Sequence, residues 1–226
     1  MSFFKFSAYL IFLPTVLLIV AVILGSTQWR RLSVFGKSIF CYLAAMLMFD
    51  SLNIFMGYVL RMSNHIILPL FSLTELCFFL YFYNKCLLVK RYMPINVLGV
   101  ISVLYIVVEF IMDFVIHYIS PAEFQPYAKV ADNFIIILLA LTFLYEKMST
   151  YNESRWNNFR LNMVILVYFT LNTIIFLPFN FLVNENSGVK FYFWTGNVVL
   201  LVLFNCFMIS EIWKDSKRLK TAVAIK

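Results

Sequence analysis

The sequence predicts an all-α integral membrane protein, a bundle of seven transmembrane helices with its amino terminus outside and its carboxyl terminus in the cytoplasm. The first observation is composition: 63% of the 226 residues are hydrophobic and 13% are charged, whereas soluble domains carry about 25% charged residues. The second is length, because seven apolar stretches each approach the ~20 residues that a helix needs to cross a bilayer. The third is the uneven distribution of Lys and Arg.

The seven predicted spans follow one another with short connections. They cover residues 4–24, 38–60, 66–88, 94–117, 128–146, 160–182 and 191–213. All four tryptophans fall at or near span ends, where amphipathic rings prefer the headgroup zone. We therefore expect residues 1–213 to form a single transmembrane domain. Residues 214–226 are expected to form a basic cytoplasmic tail, too short to fold as a domain of its own.

The basic residues predict the orientation. Fourteen of the 18 Lys and Arg residues follow spans one, three, five and seven. The opposite side holds Lys5, Arg61, Lys129 and Lys190. Because cytoplasmic loops carry the excess of basic residues, the amino terminus is predicted to be outside. The net charge of +7 then indicates contact with anionic lipids, worth ~1 kcal/mol per basic residue, and argues against a nucleic-acid site.

Three acidic residues lie inside predicted spans. Asp50, Glu75 and Glu109 each fall eight to ten residues from the outer end of their span, roughly 12–15 Å deep at 1.5 Å per residue. Helical spacing also aligns polar residues along spans two, three and four. A polar stripe in lipid turns toward the bundle interior or toward water. The stripes therefore predict an outward-facing polar cavity, which binds a ligand or a cation.

The predicted cavity has a lining and a rim. The lining residues are Asp50, Asn53, Glu75, Tyr105, Glu109 and Asp113, and the rim residues are Arg61, His65, His117 and Asp132. We expect no basic side chain at the depth of the acids, with Lys129 nearer the outer edge. The acids are then protonated and hydrogen-bonded, hydrated, or bound to a cation. Zinc on Asp113, His117 and His65 is an alternative, but ordinary hydrogen bonds are favoured, and no metal site is predicted.

Five asparagines in the last two predicted spans indicate hydrogen bonds between helices. They are Asn162, Asn172, Asn180, Asn197 and Asn205. Such bonds contribute ~0.6 kcal/mol on average inside membranes.

Several classes of seven-helix protein do not fit the sequence. Retinal attachment needs a lysine in the last helix, and none lies between Phe191 and Trp213. Seven-span zinc hydrolases need three histidines, and the chain has two. No Gly-x-Ser-x-Gly motif indicates hydrolysis of an acyl or peptide bond. We therefore expect neither enzymatic activity nor a cofactor.

Short segments at the third and seventh predicted spans carry a resemblance. Asn64-His65, Pro69-Leu70 and the run from Glu75 to Phe79, together with Phe193-Trp194 and Ile212-Trp213, resemble small uncharacterised seven-transmembrane-helix inner-membrane proteins of Bacteroidota-type bacteria. The likeness covers about a quarter of the chain. It implies a bacterial inner membrane and draws attention to Glu75, and it supplies no ligand.

Two hypotheses for function come from different classes. A receptor-like or regulatory protein would bind a ligand in the outer cavity and signal through a separate cytoplasmic or membrane partner protein. A small proton- or cation-coupled transporter or channel would use the intramembrane carboxylates directly. Polarity thins toward the inner side, which favours the receptor-like hypothesis. The lipid bilayer is an expected partner in both, and a homo-oligomer stays open because a single sequence hides the helix faces used between copies.

Overall fold

A computed structural model describes residues 10, 12–61, 66–116, 127–149, 158–182 and 189–224, and this part of the chain is helical, with no strand. Its seven α-helices are α1 (Phe12–Gln28), α2 (Val34–Ile54), α3 (Ile67–Phe82), α4 (Met93–Phe110), α5 (Tyr127–Ser149), α6 (Phe159–Leu182) and α7 (Val189–Ala224). A 3₁₀ turn, Trp29–Arg31, extends α1. Wider π-helical turns extend α2, α3 and α4 over Phe55–Val59, Tyr83–Leu87 and Ile111–Val115.

All seven helices are long and apolar enough to cross a membrane, and this number confirms the prediction within the described residues. The first candidate span ends at Arg31, seven residues beyond the predicted end at residue 24, while residues 4–9 and 11 of the predicted span lie outside the described residues. The last helix continues to Ala224, so most of the predicted tail is helical. Hydropathy falls after Trp213, but residues 214–224 contain no Gly or Pro that would end a helix.

The chain divides into two compact units. The first contains residues 1–61 and 194–226, and therefore α1, α2 and most of α7. The second contains residues 62–193, and therefore α3, α4, α5 and α6. Each unit has buried apolar side chains of its own.

In the first unit, a carboxylate from α7 is bound at the start of α2. Ser33 is the N-cap of α2, and its hydroxyl accepts a hydrogen bond from Gly36 N at 3.2 Å. Asp215 accepts hydrogen bonds from Ser33 N (2.9 Å) and from the Ser33 hydroxyl (2.8 Å). A carboxylate is favourable there because the unsatisfied N–H groups of a helix N-terminus carry partial positive charge. We call this contact the Ser33–Asp215 joint.

The second unit has an aromatic core. Phe79 and Tyr83 from the α3 segment, Phe143 from α5 and Phe169 from α6 are all completely buried. Phe79 and Phe169 pack edge to face, with ring centroids 5.0 Å apart. Such pairs contribute about 0.5–1.5 kcal/mol beyond the area that they bury. The core therefore fixes α3 against α6.

We expect Gly36→Ala to destabilise the protein and Gly57→Ala to be tolerated. A Cβ at Gly36 would collide with Asp215 Oδ2, which the Ser33 hydrogen bonds hold in place. The cost of such overpacking is about 1–3 kcal/mol. A Cβ at Gly57 would meet no atom within 4 Å, and alanine favours a helix by about 0.5–1 kcal/mol over glycine. Thermal unfolding in detergent measures both variants. Equal melting temperatures for the two would contradict the close approach of Asp215.

Candidate functional site

The second unit contains a buried group of three charged side chains, which we call the charged cluster: Glu75, Lys129 and Asp132. The Lys129 ammonium from α5 forms an ion pair with Glu75 of α3 and lies 3.2 Å from Asp132 Oδ2 on its own helix. The exposed fractions of the three side chains are 1%, 3% and 0%. The pairing of Lys129 with Asp132 follows from their i, i+3 spacing, which places both on one face of α5.

Aromatic and polar side chains surround the charged cluster. The Lys129 ammonium lies 4.9 Å from the centroid of the Phe71 ring and 5.7 Å from that of Phe169, so cation–π attraction supplements the ion pairs. Ser72, completely buried, lies beside Asp132. Asn133, the residue after Asp132, donates a hydrogen bond from Nδ2 to Asn172 Oδ1 at 2.8 Å and so links α5 to α6.

The cluster has more acid than base. If all three groups are ionised, two carboxylates face one ammonium, and one negative charge is uncompensated. Asp132 Oδ1 is buried and has no hydrogen-bond partner among the residues that the structure describes. Burial of an unpaired charge costs several kcal/mol. The charge-balanced state therefore carries one proton on the two carboxyl groups, or takes a further cation.

Glu109 of α4, like Glu75 of α3, contacts α5. Its carboxylate accepts a hydrogen bond from Ala128 N at 3.0 Å, at the first turn of α5. Glu109 thereby satisfies one of the backbone N–H groups that a helix start leaves unpaired. Tyr105, one turn earlier on α4, interacts with Glu109 and is 45% exposed. Asp113, one turn later, is half-buried.

The lining residues predicted from the sequence fall in both compact units. Asp50 lies in the first unit, where it accepts a hydrogen bond from the Thr15 hydroxyl and is half-buried. Asn53 belongs to that unit as well and is half-buried. Glu75, Tyr105, Glu109 and Asp113 lie in the second unit. Of these four, Glu75 and Glu109 both contact the first turn of α5.

The rim residues are placed as follows. Arg61 is exposed, with a left-handed backbone (φ 52°) where the α2 segment ends. His65 and His117 lie outside the described residues, and with them the zinc alternative. Across the described ranges, no three His, Cys, Asp or Glu side chains are grouped so that they could hold a metal ion.

Two expectations about α5 were wrong. Lys129 was expected near the outer edge, apart from the acids, and Asp132 was expected at the rim. Both are buried with Glu75. Glu75 lies eight residues into α3, about 12 Å along its axis, whereas Lys129 lies two residues into α5. The start of α5 is therefore beside the middle of α3, a stagger that span lengths do not reveal.

A second buried polar group lies toward the far end of the same helices. The Tyr83 hydroxyl donates a hydrogen bond to Asn162 Oδ1 at 2.7 Å, and Asn162 Nδ2 donates to Ala140 O at 3.1 Å. Near the end of α5, Glu146 accepts hydrogen bonds from Val89 N (2.9 Å) and Lys90 N (3.3 Å). These bonds tie the segment after α3 to α5 and α6.

The prediction that span asparagines join helices is confirmed for Asn162 and Asn172. Asn205 on α7 is completely buried, and neither of its amide atoms has a hydrogen-bond partner in the described part of the chain. The sequence does carry a signal for the burial of Lys129, because Asp132 and Asn133 follow it at three and four residues and therefore share its face of α5.

Compared with protein-family models, curated proteins and solved structures, the chain matches none.

We expect Lys129→Met to lower stability far more than Lys214→Met. Removal of the ammonium leaves two buried carboxyl groups facing each other, and breaking a buried ion pair costs about 3–5 kcal/mol. The apparent melting temperature in detergent should fall on the order of 10 °C. Lys214 also pairs with an acid, Glu211, but is 42% exposed, and exposed pairs contribute about 0–1 kcal/mol.

A triple variant tests whether the lower melting temperature of Lys129→Met comes from the carboxylate charge left without its ammonium partner. Glu75→Gln and Asp132→Asn, added to Lys129→Met, remove every formal charge with little change in volume. Most of the lost melting temperature should return. A Lys129→Met protein as stable as Lys214→Met would refute the buried pairing.

Proposed function

We propose that this protein is a receptor-like or regulatory seven-helix protein of a bacterial inner membrane, in which the charged cluster is the input site. The amino terminus lies outside and the carboxyl terminus in the cytoplasm. The charge asymmetry of the connections supports this orientation. The seven apolar helices support a membrane location, and the resemblance described above supports a bacterial inner membrane.

One observation carries the proposal: a continuous series of buried contacts runs from the charged cluster to the far end of α3. The Lys129 ammonium lies over the Phe169 ring. Phe169 packs against Phe79, and the ring centroids of Phe79 and Tyr83 are 6.4 Å apart. Tyr83 donates its hydroxyl hydrogen to Asn162. A change of charge at Lys129 therefore has a packed route along α3 and α6, the kind of contiguous network through which two arrangements are coupled.

The same route opposes continuous conduction. Between the charged cluster and the Tyr83–Asn162 pair, the buried side chains are aromatic or aliphatic. They include Phe79, Leu76, Ile136, Ile165 and Phe169, each with an exposed fraction of 0%. A proton path needs hydrogen-bonding groups in series, and these five side chains carry none. The Tyr168 hydroxyl is buried next to Phe169, but it interacts with Glu75 and Asp132 and so belongs to the cluster end of the route. The arrangement therefore favours regulation over a channel.

In the proposed mechanism, protonation or a bound cation compensates the excess charge of Glu75 and Asp132. The ion pairs of Lys129 weaken as a result, and the packing of Phe169 changes with them. A ligand shifts such an equilibrium only by its difference in affinity for the two states. The surface that changes in response is the segment after α3, where Lys85 and Lys90 are exposed. Glu146 of α5 accepts a hydrogen bond from Val89 N in this segment. A separate partner protein reads that surface.

The alternative is a small proton- or cation-coupled transporter. The excess carboxylate, with Asp132 Oδ1 unpartnered within the described residues, favours it. Under this alternative, the buried aromatic and aliphatic side chains between the charged cluster and the Tyr83–Asn162 pair would have to move apart in each transport cycle. Purified protein in liposomes discriminates the two. The receptor-like proposal predicts no proton or cation flux above empty liposomes, whereas a flux that Glu75→Gln abolishes would establish transport.

We expect Glu75→Gln to change the reactivity of Cys86 at the far end of α3. Cys86 is half-buried, three residues after Tyr83. In a protein whose other cysteines are serine, the rate of maleimide labelling should change about fivefold or more, the lower end of allosteric coupling. Phe169→Leu in the same background should reduce that response. Asp50→Asn is the matched control, an intramembrane acid of the first unit. Equal Cys86 rates in wild type and Glu75→Gln would refute the coupling.

The orientation has its own test. We expect an amino-terminal tag to react with an impermeant reagent in intact cells, and a carboxyl-terminal tag to react only after permeabilisation. An odd number of crossings places the termini on opposite faces of the membrane. The connections rich in Lys and Arg stay on the cytoplasmic side, which places the carboxyl terminus there. Two tags with the same accessibility would overturn the topology.

A further inference from the structure

The Ser33–Asp215 joint connects two distant parts of the sequence, each of which carries several basic residues. Ser33 and Asp215 are 182 residues apart in the chain and are bonded to each other. Six basic residues lie within four positions of Ser33 or of Asp215 in the sequence. We call these six residues the basic joint surface: Arg30, Arg31, Lys37, Lys214, Lys217 and Arg218.

The positive charge of this surface is not cancelled locally. The described acids beside it are Asp215 and Glu211. The Asp215 carboxylate is bonded to Ser33, and Glu211 accepts a hydrogen bond from Lys214 at 2.7 Å. Six cations therefore face two carboxylates, which leaves a net charge of +4 at one end of the first unit.

Exposed apolar side chains lie among these cations. Trp29, Val34 and Trp213 are 40%, 61% and 53% exposed. The Lys37 ammonium lies 5.2 Å from the centroid of the Trp29 ring, and the Lys217 ammonium lies 3.9 Å from that of Trp213. Ammonium groups above interfacial tryptophans present a mixed surface, with apolar bodies toward acyl chains and charged ends toward headgroups.

The position of the surface along the helices matches the headgroup level. One candidate span ends at Arg31, the next begins at Val34, and the last ends at Arg218. The six cations thus stand at the ends of three apolar helices. This level does not depend on which side of the membrane the termini occupy. A phosphate group of a lipid would approach the cations there while its acyl chains contact Val34 and Trp213.

We propose that the basic joint surface is a binding site for the headgroup of an anionic phospholipid, assembled by the Ser33–Asp215 joint. Free phosphate compounds share the chemistry of the headgroup, but the exposed tryptophans and Val34 favour the lipid. The site lies in the first unit and does not use the charged cluster. It is therefore independent of the proposed function.

Native mass spectrometry of the full chain in detergent tests the site. The probes are phosphatidylglycerol, phosphatidylcholine and free glycerol 1-phosphate. The test variant is Arg30→Gln/Arg31→Gln/Lys37→Gln. Its matched control, Lys85→Gln/Lys90→Gln/Arg91→Gln, removes the same number of cations from the second unit. Each basic residue near an anionic surface contributes on the order of fivefold in affinity.

The test variant should bind phosphatidylglycerol at least about tenfold more weakly than wild type, while the control variant stays within about twofold of wild type. Phosphatidylcholine should bind weakly to all three proteins, and glycerol 1-phosphate should not compete. An equal loss in the two variants would overturn a localised site. Full competition by glycerol 1-phosphate would overturn the lipid as ligand.

Asp215→Asn separates an assembled site from general attraction by charge. The variant removes a negative charge, so unspecific attraction of anionic lipid would increase. If the Ser33–Asp215 joint assembles the site, phosphatidylglycerol affinity should fall instead. Tighter binding by Asp215→Asn would overturn the role of the joint. Glu75→Gln should leave lipid affinity unchanged, which keeps this test separate from that of the charged cluster.

Discussion

A lysine ammonium held between two carboxyl groups, away from water, is the constraint that organises the second unit. Lys129 would be costly to bury alone, and so would Glu75 or Asp132, because the apolar interior cannot replace their hydration. Together they require α3 and α5 to meet in one register. A shift of one residue along either helix would separate the charges. The cluster thus specifies which helices are neighbours, and it holds an excess acid that a proton or cation can compensate.

Carboxylates are used elsewhere in the chain to satisfy backbone N–H groups. Glu109 binds Ala128 N at the start of α5, Asp215 binds Ser33 N at the start of α2, and Glu146 binds Val89 N after α3. Each is a charge-assisted hydrogen bond at a place where a helical backbone would otherwise leave donors unpaired. These three acids are therefore structural joints between segments of the chain, and the charged cluster differs in having two carboxyl groups around a single ammonium.

The aromatic core connects the charged cluster to more distant parts of the second unit. Phe169 contacts both the Lys129 ammonium and Phe79, so the electrostatic site and the packed core share a side chain. Close-packed interiors transmit displacement because they contain little free volume. This connection supports a regulatory function for the second unit. The basic joint surface of the first unit is a different kind of site, since four of its six cations are exposed.

The number and approximate limits of the apolar helices and the interhelical asparagines Asn162 and Asn172 were readable from the sequence. Hydropathy and helical period are local properties, and a bilayer imposes a length on every span. Which polar residues meet is not local. The sequence left Lys129 at an edge because it does not record how far α5 is staggered along α3. It likewise separated Ser33 from Asp215 by 182 positions, and only the packing of α7 against the start of α2 brings them together. Local chemistry therefore determined the spans, and tertiary packing decided the charge partners, because a pairing depends on the relative height and rotation of two helices that no single segment encodes.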